Sequence, residues 1–246
     1  MLSKTIVKYI QSLAHKKLRD EDSVFIAEGP KVVAELLHSN KFSCKIICGL
    51  QSWMDENATS IHDISEKNKY AITEIELEKI SLLQTPNKVI AVFDKKQNEL
   101  SNLSNNFSLM LDEIQDPGNM GTIIRTADWF GVRTIVCSNE CVDCYNPKVV
   151  QASMGSLSRV DIFYTELEKF INVNSTIDIY AATLTGKPLS SITRLKEGII
   201  LIGNESKGIK ESLLRHAVEQ ITIPKQGQAE SLNAAVACGI ILSHII

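Results

Sequence analysis

The tightest constraint on this chain is a set of short segments that are apolar almost without interruption. They are "VIAVF", "FSLML", "TIVCS", "IDIYAATL", "GIILIG" and "QITIP", the first beginning at Val89. Each has the length of a strand, and helical segments lie between them. A half-buried strand alternates apolar and polar residues, whereas a strand covered on both faces need not. Such strands interspersed with helices predict an α/β fold: a mostly parallel sheet with helices on both faces. In sheets of that kind, ligands bind at the carboxyl ends of the strands.

The N-terminal stretch reads as a separate, small α/β unit. "SVFIAEG" is strand-like, and Pro30 suits the first position of the helix "PKVVAELLHS". "KIICGL" is a second strand. "TEIELEKISLL" is a helix capped by Thr73, with Glu76 placed three residues on to complete a capping box. "LLQTPNK" is a turn-rich linker, so the domains are set at residues 1–85 and 86–246.

With 246 residues, 44% apolar and 22% charged, the chain has ample material for buried cores. Its net charge of −3 leaves room only for a local basic patch, not a generally basic surface. The opening "MLSKTIVKYIQSLAHKK" is amphipathic and does not read as a secretory signal. The apolar C-terminal run from Leu232 is interrupted by Asn233, Ser243 and His244 and is too short to span a bilayer. A cytoplasmic protein without membrane contact is expected. Six cysteines make no disulfide framework in a chain of this length. "CVDC", Cys141 to Cys144, is half a zinc motif without its other half, and no metal is expected.

Three segments place polar residues at predicted strand ends, where packing does not require them. "DEIQDPGNMGTIIRTADWFG" puts Asn119 at a helix mouth and Arg125 further along the same helix. "GNESKG" has the glycine spacing of a phosphate loop, but Ile209 and Lys210 follow Gly208, and Glu205 would repel phosphate. It is either a tight strand-to-helix turn or a backbone loop for an uncharged or cationic ligand. "IPKQGQAESLNAAVACG" leads into the C-terminal helix, which Ser231 or Glu230 is expected to cap. That helix is apolar on nearly every side, so a second subunit is expected to cover its outer face. In the first unit, "HKKLRDED" groups Lys16, Lys17 and Arg19, either a solvated face or a set of phosphate contacts.

Taken together, these segments resemble the SpoU (TrmH-type) family of RNA ribose 2′-O-methyltransferases, within the SPOUT superfamily. "NMGTIIRTA" is similar to its first motif, "GNESKGI" to its second and "IPKQGQAESLN" to its third. "YNPKVVQASMGSLSRV" resembles the segment between the first two. The N-terminal unit resembles the small substrate-binding domain that precedes this catalytic domain. The resemblance implies a trefoil-knotted sheet, S-adenosylmethionine as cofactor, and a homodimer through the C-terminal helix. It also implies cofactor contacts from Thr183, Leu184, Gly203, Asn204, Ile223, Leu232 and Asn233. The implied catalytic set is Arg125 with Asn119, Glu205, Ser231 and Asn233, and RNA contacts fall to Lys16, Lys17 and Arg19.

The implied substrate is the 2′-hydroxyl of a ribose in structured RNA, ribosomal RNA first and transfer RNA second. The alternatives are a knotted enzyme that methylates a base and a catalytically silent RNA-binding relative. Methyl transfer to a hydroxyl is an in-line displacement that depends on alignment. A guanidinium keeps its proton up to pH ~12, so Arg125 suits gripping phosphate and stabilising a developing alkoxide better than removing a proton.

Overall fold

The computed structural model describes residues 2–96, 103 and 105–246. In chain order the elements begin with α1 (Lys4–Ser12), α2 (Lys16–Glu21), β1 (Val24–Glu28), α3 (Pro30–His38), β2 (Cys44–Leu50), α4 (Gln51–Glu56) and β3 (Lys69–Ile72). Next come α5 (Glu74–Ile80), β4 (Val89–Asp94), β5 (Phe107–Leu111), α6 (Pro117–Trp129), β6 (Thr134–Ser138) and α7 (Pro147–Ser153). The last are β7 (Asp161–Thr165), α8 (Leu167–Val173), β8 (Ile179–Pro188), β9 (Gly198–Ile202), α9 (Glu211–Leu214), β10 (Glu219–Thr222) and α10 (Ala234–Ile245). They form two compact units, residues 1–97 with 143–158, and residues 98–142 with 159–246.

The first unit holds a four-stranded sheet in the order β1-β4-β2-β3. β4 is antiparallel to both β1 and β2. This corrects the sequence reading, which put "VIAVF" at the start of the parallel sheet and the boundary at 85/86. The first five residues of β4 are all buried, because a central antiparallel strand covered on both faces is as apolar as a parallel one. Apolarity reports coverage and does not report pairing partners.

One face of this sheet packs Val24, Ile26, Ile90 and Val92 against Ile10, Leu13, Leu77 and Ile80 from α1, α5 and their ends. Across the sheet, the Phe25 ring lies 5.6 Å from Phe93, 5.0 Å from Phe42 and 4.8 Å from Tyr145. Tyr145 belongs to the 143–158 segment, whose helix α7 packs on β1. The chain between β6 and β7 therefore contributes to the core of the first unit, which nothing in its spacing foretold. The local signals hold: Thr73 and Glu76 form the capping box of α5, and Pro30 opens α3.

Arg19 is the second correction. It is 1% exposed, so it offers nothing to RNA. Its Nη1 donates to the carbonyls of Leu13 at 3.0 Å and Ala14 at 2.9 Å, where α1 ends and leaves acceptors without helical partners. Its Nη2 pairs with Asp143 at 2.7 Å. Lys16 and Lys17 remain exposed, and Lys17 pairs with Glu21 at 3.8 Å.

The second unit is a six-stranded sheet in the order β10-β8-β9-β5-β6-β7, and every neighbouring pair is parallel. Met110, Val136, Ile199 and Leu201 turn one face towards Leu167 and Ile171 of α8 and Leu213 of α9. Alternate residues such as Leu109, Leu111, Ile200 and Ile202 point the other way and are buried too. The long helices α6 and α10 pack on each other. Among the described residues, no helix is long and apolar enough to cross a membrane.

Removing the Arg19 guanidinium should strand Asp143 and two carbonyls in a dry site. Arg19→Ala is expected to cost about 3–5 kcal/mol of stability, as for other broken buried pairs. Arg19→Lys should recover only part of this, since one ammonium cannot reproduce the planar fork. Chemical denaturation of the full chain measures both; a wild-type midpoint for Arg19→Ala would refute the structural role.

Candidate active site

Three loops leave the carboxyl ends of β5, β9 and β10, and side chains from all three meet. In the first, Asp116 caps α6 by accepting from the Asn119 backbone N–H at 2.8 Å, and Pro117 occupies the first helical position. Met120, Gly121, Ile123, Ile124 and Ala127 form the buried stripe of α6. The Asn119 side chain is thereby fixed at the helix mouth. Its Nδ2 donates to Glu205 Oε1, and its Oδ1 accepts from Asn233 Nδ2 at 2.8 Å.

Glu205 sits on the loop after β9. Its Oε1 also accepts from Asn233 Nδ2 at 3.2 Å and from the Ala234 N–H at 3.4 Å. Asn233, rather than Ser231 or Glu230, caps α10: its Oδ1 accepts from the N–H groups of Ala235 at 3.0 Å and Val236 at 3.2 Å. The helix starts two residues later than the sequence suggested, so Ser231 and Leu232 lie in an exposed, irregular stretch. Among the described residues, Ser231 has no hydrogen bond to this cluster.

The loop after β9 closes on itself. Asn204 and Gly208 exchange backbone hydrogen bonds at 3.0 and 2.9 Å, and Asn204 Oδ1 accepts from the N–H groups of Ser206 and Lys207. Gly203 allows the closure, because a Cβ there would fall 2.5 Å from the Gly208 carbonyl carbon. "GNESKG" is thus a backbone-closed turn with Glu205 at its tip.

Thr183 and Leu184 lie in an excursion of β8. The β10 residue Gln220 pairs with Ala181, yet the next residue, Ile221, pairs with Lys187. Residues 182–186 therefore bulge out of the sheet, a device common beside active sites. Thr222 Oγ1 ties the bulge down by donating to the Leu184 carbonyl at 3.1 Å, leaving the Leu184 side chain 73% exposed. Because β10, β8 and β9 are adjacent, Thr183, Leu184, Gly203, Asn204 and Ile223 all lie along one stretch of the sheet rim.

Arg125 stands apart. It is exposed on α6, six residues and a rise of ~9 Å beyond Asn119. It makes no hydrogen bond or ion pair among the described residues. A cavity of about 380 Å³ opens elsewhere on the rim, lined in part by Asp112, Ser138, Glu140, Thr165 and Lys210. None of the predicted site residues lines it, and the loops that converge on Asn119 define the candidate site instead. Cys141 and Cys144 are buried, and no metal-holding group of His, Cys, Asp and Glu exists among the described residues.

Residues 106–243 match the sequence model of the SpoU rRNA Methylase family. The chain belongs to that family. A second match, over residues 4–91, is to the MRM3-like substrate binding domain. Among relatives of this SpoU protein is the Bacillus subtilis 23S rRNA (guanosine(2553)-2′-O)-methyltransferase RlmP. It is 29% identical over 245 residues, covering 97% of this chain and 95% of the relative. The AdoMet-bound rRNA methyltransferase from Sinorhizobium meliloti shares the fold with a TM-score of 0.87 and 31% identity, over 100% of this chain and 96% of that one. A TrmH-family protein from Porphyromonas gingivalis matches with a TM-score of 0.84 and 32% identity, over 99% and 98% of the two chains.

The bridge between the three loops has a clear test. Asp caps helices as well as Asn does, whereas Ala costs about 1 kcal/mol at such a position. Asn233→Asp nevertheless removes the Nδ2 donor and sets a second carboxylate against Glu205. It should therefore melt below Asn233→Ala in thermal unfolding. The reverse order would mean that Asn233 is only a cap.

Proposed function

We propose that this SpoU protein transfers a methyl group from S-adenosylmethionine to a ribose 2′-hydroxyl of ribosomal RNA. The observation that carries the reading is the bonded meeting of Asn119, Glu205 and Asn233, one from each of three motif segments. Relatives named as 23S ribosomal RNA 2′-O-methyltransferases support ribose as acceptor and ribosomal over transfer RNA.

The rim of β8, β9 and β10 fits the cofactor. Gly203 keeps side-chain bulk out of the turn, and the irregular backbone of residues 223–233 offers peptide N–H and C=O groups to a polar ring edge. Leu184 and Leu232 are exposed apolar side chains suited to the faces of such a ring. The trefoil knot expected of this family belongs to the same proposal, threading these loops together. When bound, the cofactor supplies an electrophilic methyl group on a sulfonium.

The chain's own residues then align the acceptor. Asn119 and Asn233 order the helix mouths, and Glu205 holds both through Oε1. Arg125, on the same helix as Asn119, grips RNA phosphate near the reacting nucleotide and stabilises charge developing on its oxygen. Lys16 and Lys17 are the exposed cations of the first unit assigned to RNA; Arg19 drops out of that set.

A homodimer through α10 belongs to the same reading. Val236 and Ile240 are exposed apolar residues on α10, and Trp129, at the end of the neighbouring α6, is 85% exposed. Ile241 is 1% exposed and serves the chain's own core. Ile240→Asp should therefore split the dimer while leaving each chain folded, read by sedimentation and circular dichroism. An active wild-type monomer would refute the assembly.

The activity itself is tested with an unmodified transcript of large-subunit ribosomal RNA and labelled S-adenosylmethionine. Arg125→Ala should abolish transfer with fold and cofactor affinity nearly unchanged, and Arg125→Lys should recover little. Once the target nucleotide is mapped, a transcript carrying a single 2′-deoxy substitution there should accept no methyl group. Continued methylation of that RNA would identify a base as the acceptor.

A further inference from the structure

Glu113 lies between the first motif and β5, and the functional reading gives it no part. Its backbone is left-handed, with φ of 54°, a conformation glycine adopts freely and glutamate does not. Strain of this kind at a site rim persists where the surrounding contacts require it. Those contacts run to the Glu205 loop. Glu113 Oε2 accepts from Lys207 Nζ at 2.8 Å, and Lys210 Nζ lies 3.0 Å from Oε1. Its carbonyl accepts from Asn204 Nδ2 at 2.8 Å, and its N–H donates to Ser138 Oγ at 3.1 Å. Next to it, Asp112 Oδ2 accepts from the Lys210 N–H at 2.9 Å.

We infer that Glu113 is a positioning residue for methyl transfer, holding the 203–210 loop against the end of β5 so that Glu205 reaches Asn119 and Asn233. The inference rests on the methyltransferase reading above. Its contacts span the loop: Asn204 lies one residue before Glu205, Lys207 two after it, and Lys210 where the loop ends. Glu205 itself carries the only side chain of the loop that bonds to Asn119 and Asn233. Glu113 thus fixes both sides of the residue that ties α6 to α10. A contribution to stability alone does not account for this arrangement. Lys207 is largely and Lys210 about half exposed, and ion pairs with such partners add little. A glycine at 113 would relieve the backbone strain. The glutamate side chain is kept in spite of it.

Two variants of the full chain separate positioning from stability. Glu113→Gln removes the carboxylate that pairs with Lys207 and the nearest of the three around Lys210, and Glu113→Gly removes the side chain together with the strain. Both should lower kcat on the large-subunit transcript by about 10–100-fold, the scale of a small misalignment remote from the reacting atoms. KM for RNA and for cofactor should stay within about twofold, and Glu113→Gly should unfold no earlier than wild type. Side-chain amide resonances of Asn119 and Asn233, followed by NMR in the protein without cofactor, should shift in Glu113→Gln. The proposal fails if those resonances keep their wild-type positions, or if kcat does. Absence of transfer by the wild-type protein would count against the methyltransferase reading instead, and the resonances then decide the role of Glu113 by themselves.

Discussion

Parallel pairing is the constraint on which the site depends. With every neighbouring pair in the second sheet parallel, all six strands end at the same rim, and loops distant in sequence must emerge side by side. The β5–β9 register makes this specific. Leu111 lies opposite Ile202, and the Asp112 N–H donates to the Ile202 carbonyl at 2.9 Å, so the first and second motif segments start as neighbours. A slip of one residue would turn Leu109, Leu111, Ile200 and Ile202 to the wrong face. The dry packing of these residues on one face, and of Met110, Ile199 and Leu201 on the other, pins the register. Core residues thereby set the relation between Asn119 and Glu205, although none of them touches the site.

The parts of the fold legible in the sequence are those governed by local chemistry. Thr73 with Glu76, and Pro30 at the first position of its helix, are rules that act over three or four residues, and both elements start where they place them. The alternation of apolar strands with helices likewise predicted the second sheet. The same apolar signal misplaced Val89–Asp94, because burial on both faces occurs in either kind of sheet. Only the partners, β1 and β2, distinguish them, and partners are a long-range property. The 143–158 segment escaped for the same reason: Tyr145 needs the rings of Phe25 and Phe42, more than a hundred residues away in sequence.

Charge was the least legible quantity. Lys16, Lys17 and Arg19 look alike as a basic group, yet Arg19 ends inside, spanning two helix-end carbonyls and Asp143. Nothing within "HKKLRDED" distinguishes it from its neighbours, since its acceptors come from the end of α1 and from a residue over a hundred positions on. Motif resemblance singled out Asn119, Glu205 and Asn233, which meet in the structure, while Glu113 and Lys207 drew no reading and Lys210 only the remark that it is out of place for a phosphate loop. Their roles lie in a mutual geometry that exists only once β5 and β9 are paired.

On the proposed ribose reading, the geometry also bears on how the hydroxyl would be made to react. Glu205 is the carboxylate nearest the meeting of the three loops, and it would be the obvious candidate for a base. Its Oε1, however, already accepts from Asn119, Asn233 and the Ala234 N–H, and taking a proton there would turn an acceptor into a donor facing three N–H groups. Through Oε1, Glu205 is therefore suited to hold the site together. A guanidinium such as that of Arg125 does not accept a proton, and its place ~9 Å further along α6 fits the proposed hold on the RNA backbone. On that reading Asn119, Glu205 and Asn233 position protein loops, and Arg125, apart from them on α6, would position substrate. For an in-line displacement on an already electrophilic methyl group, alignment is the contribution these residues are built to make.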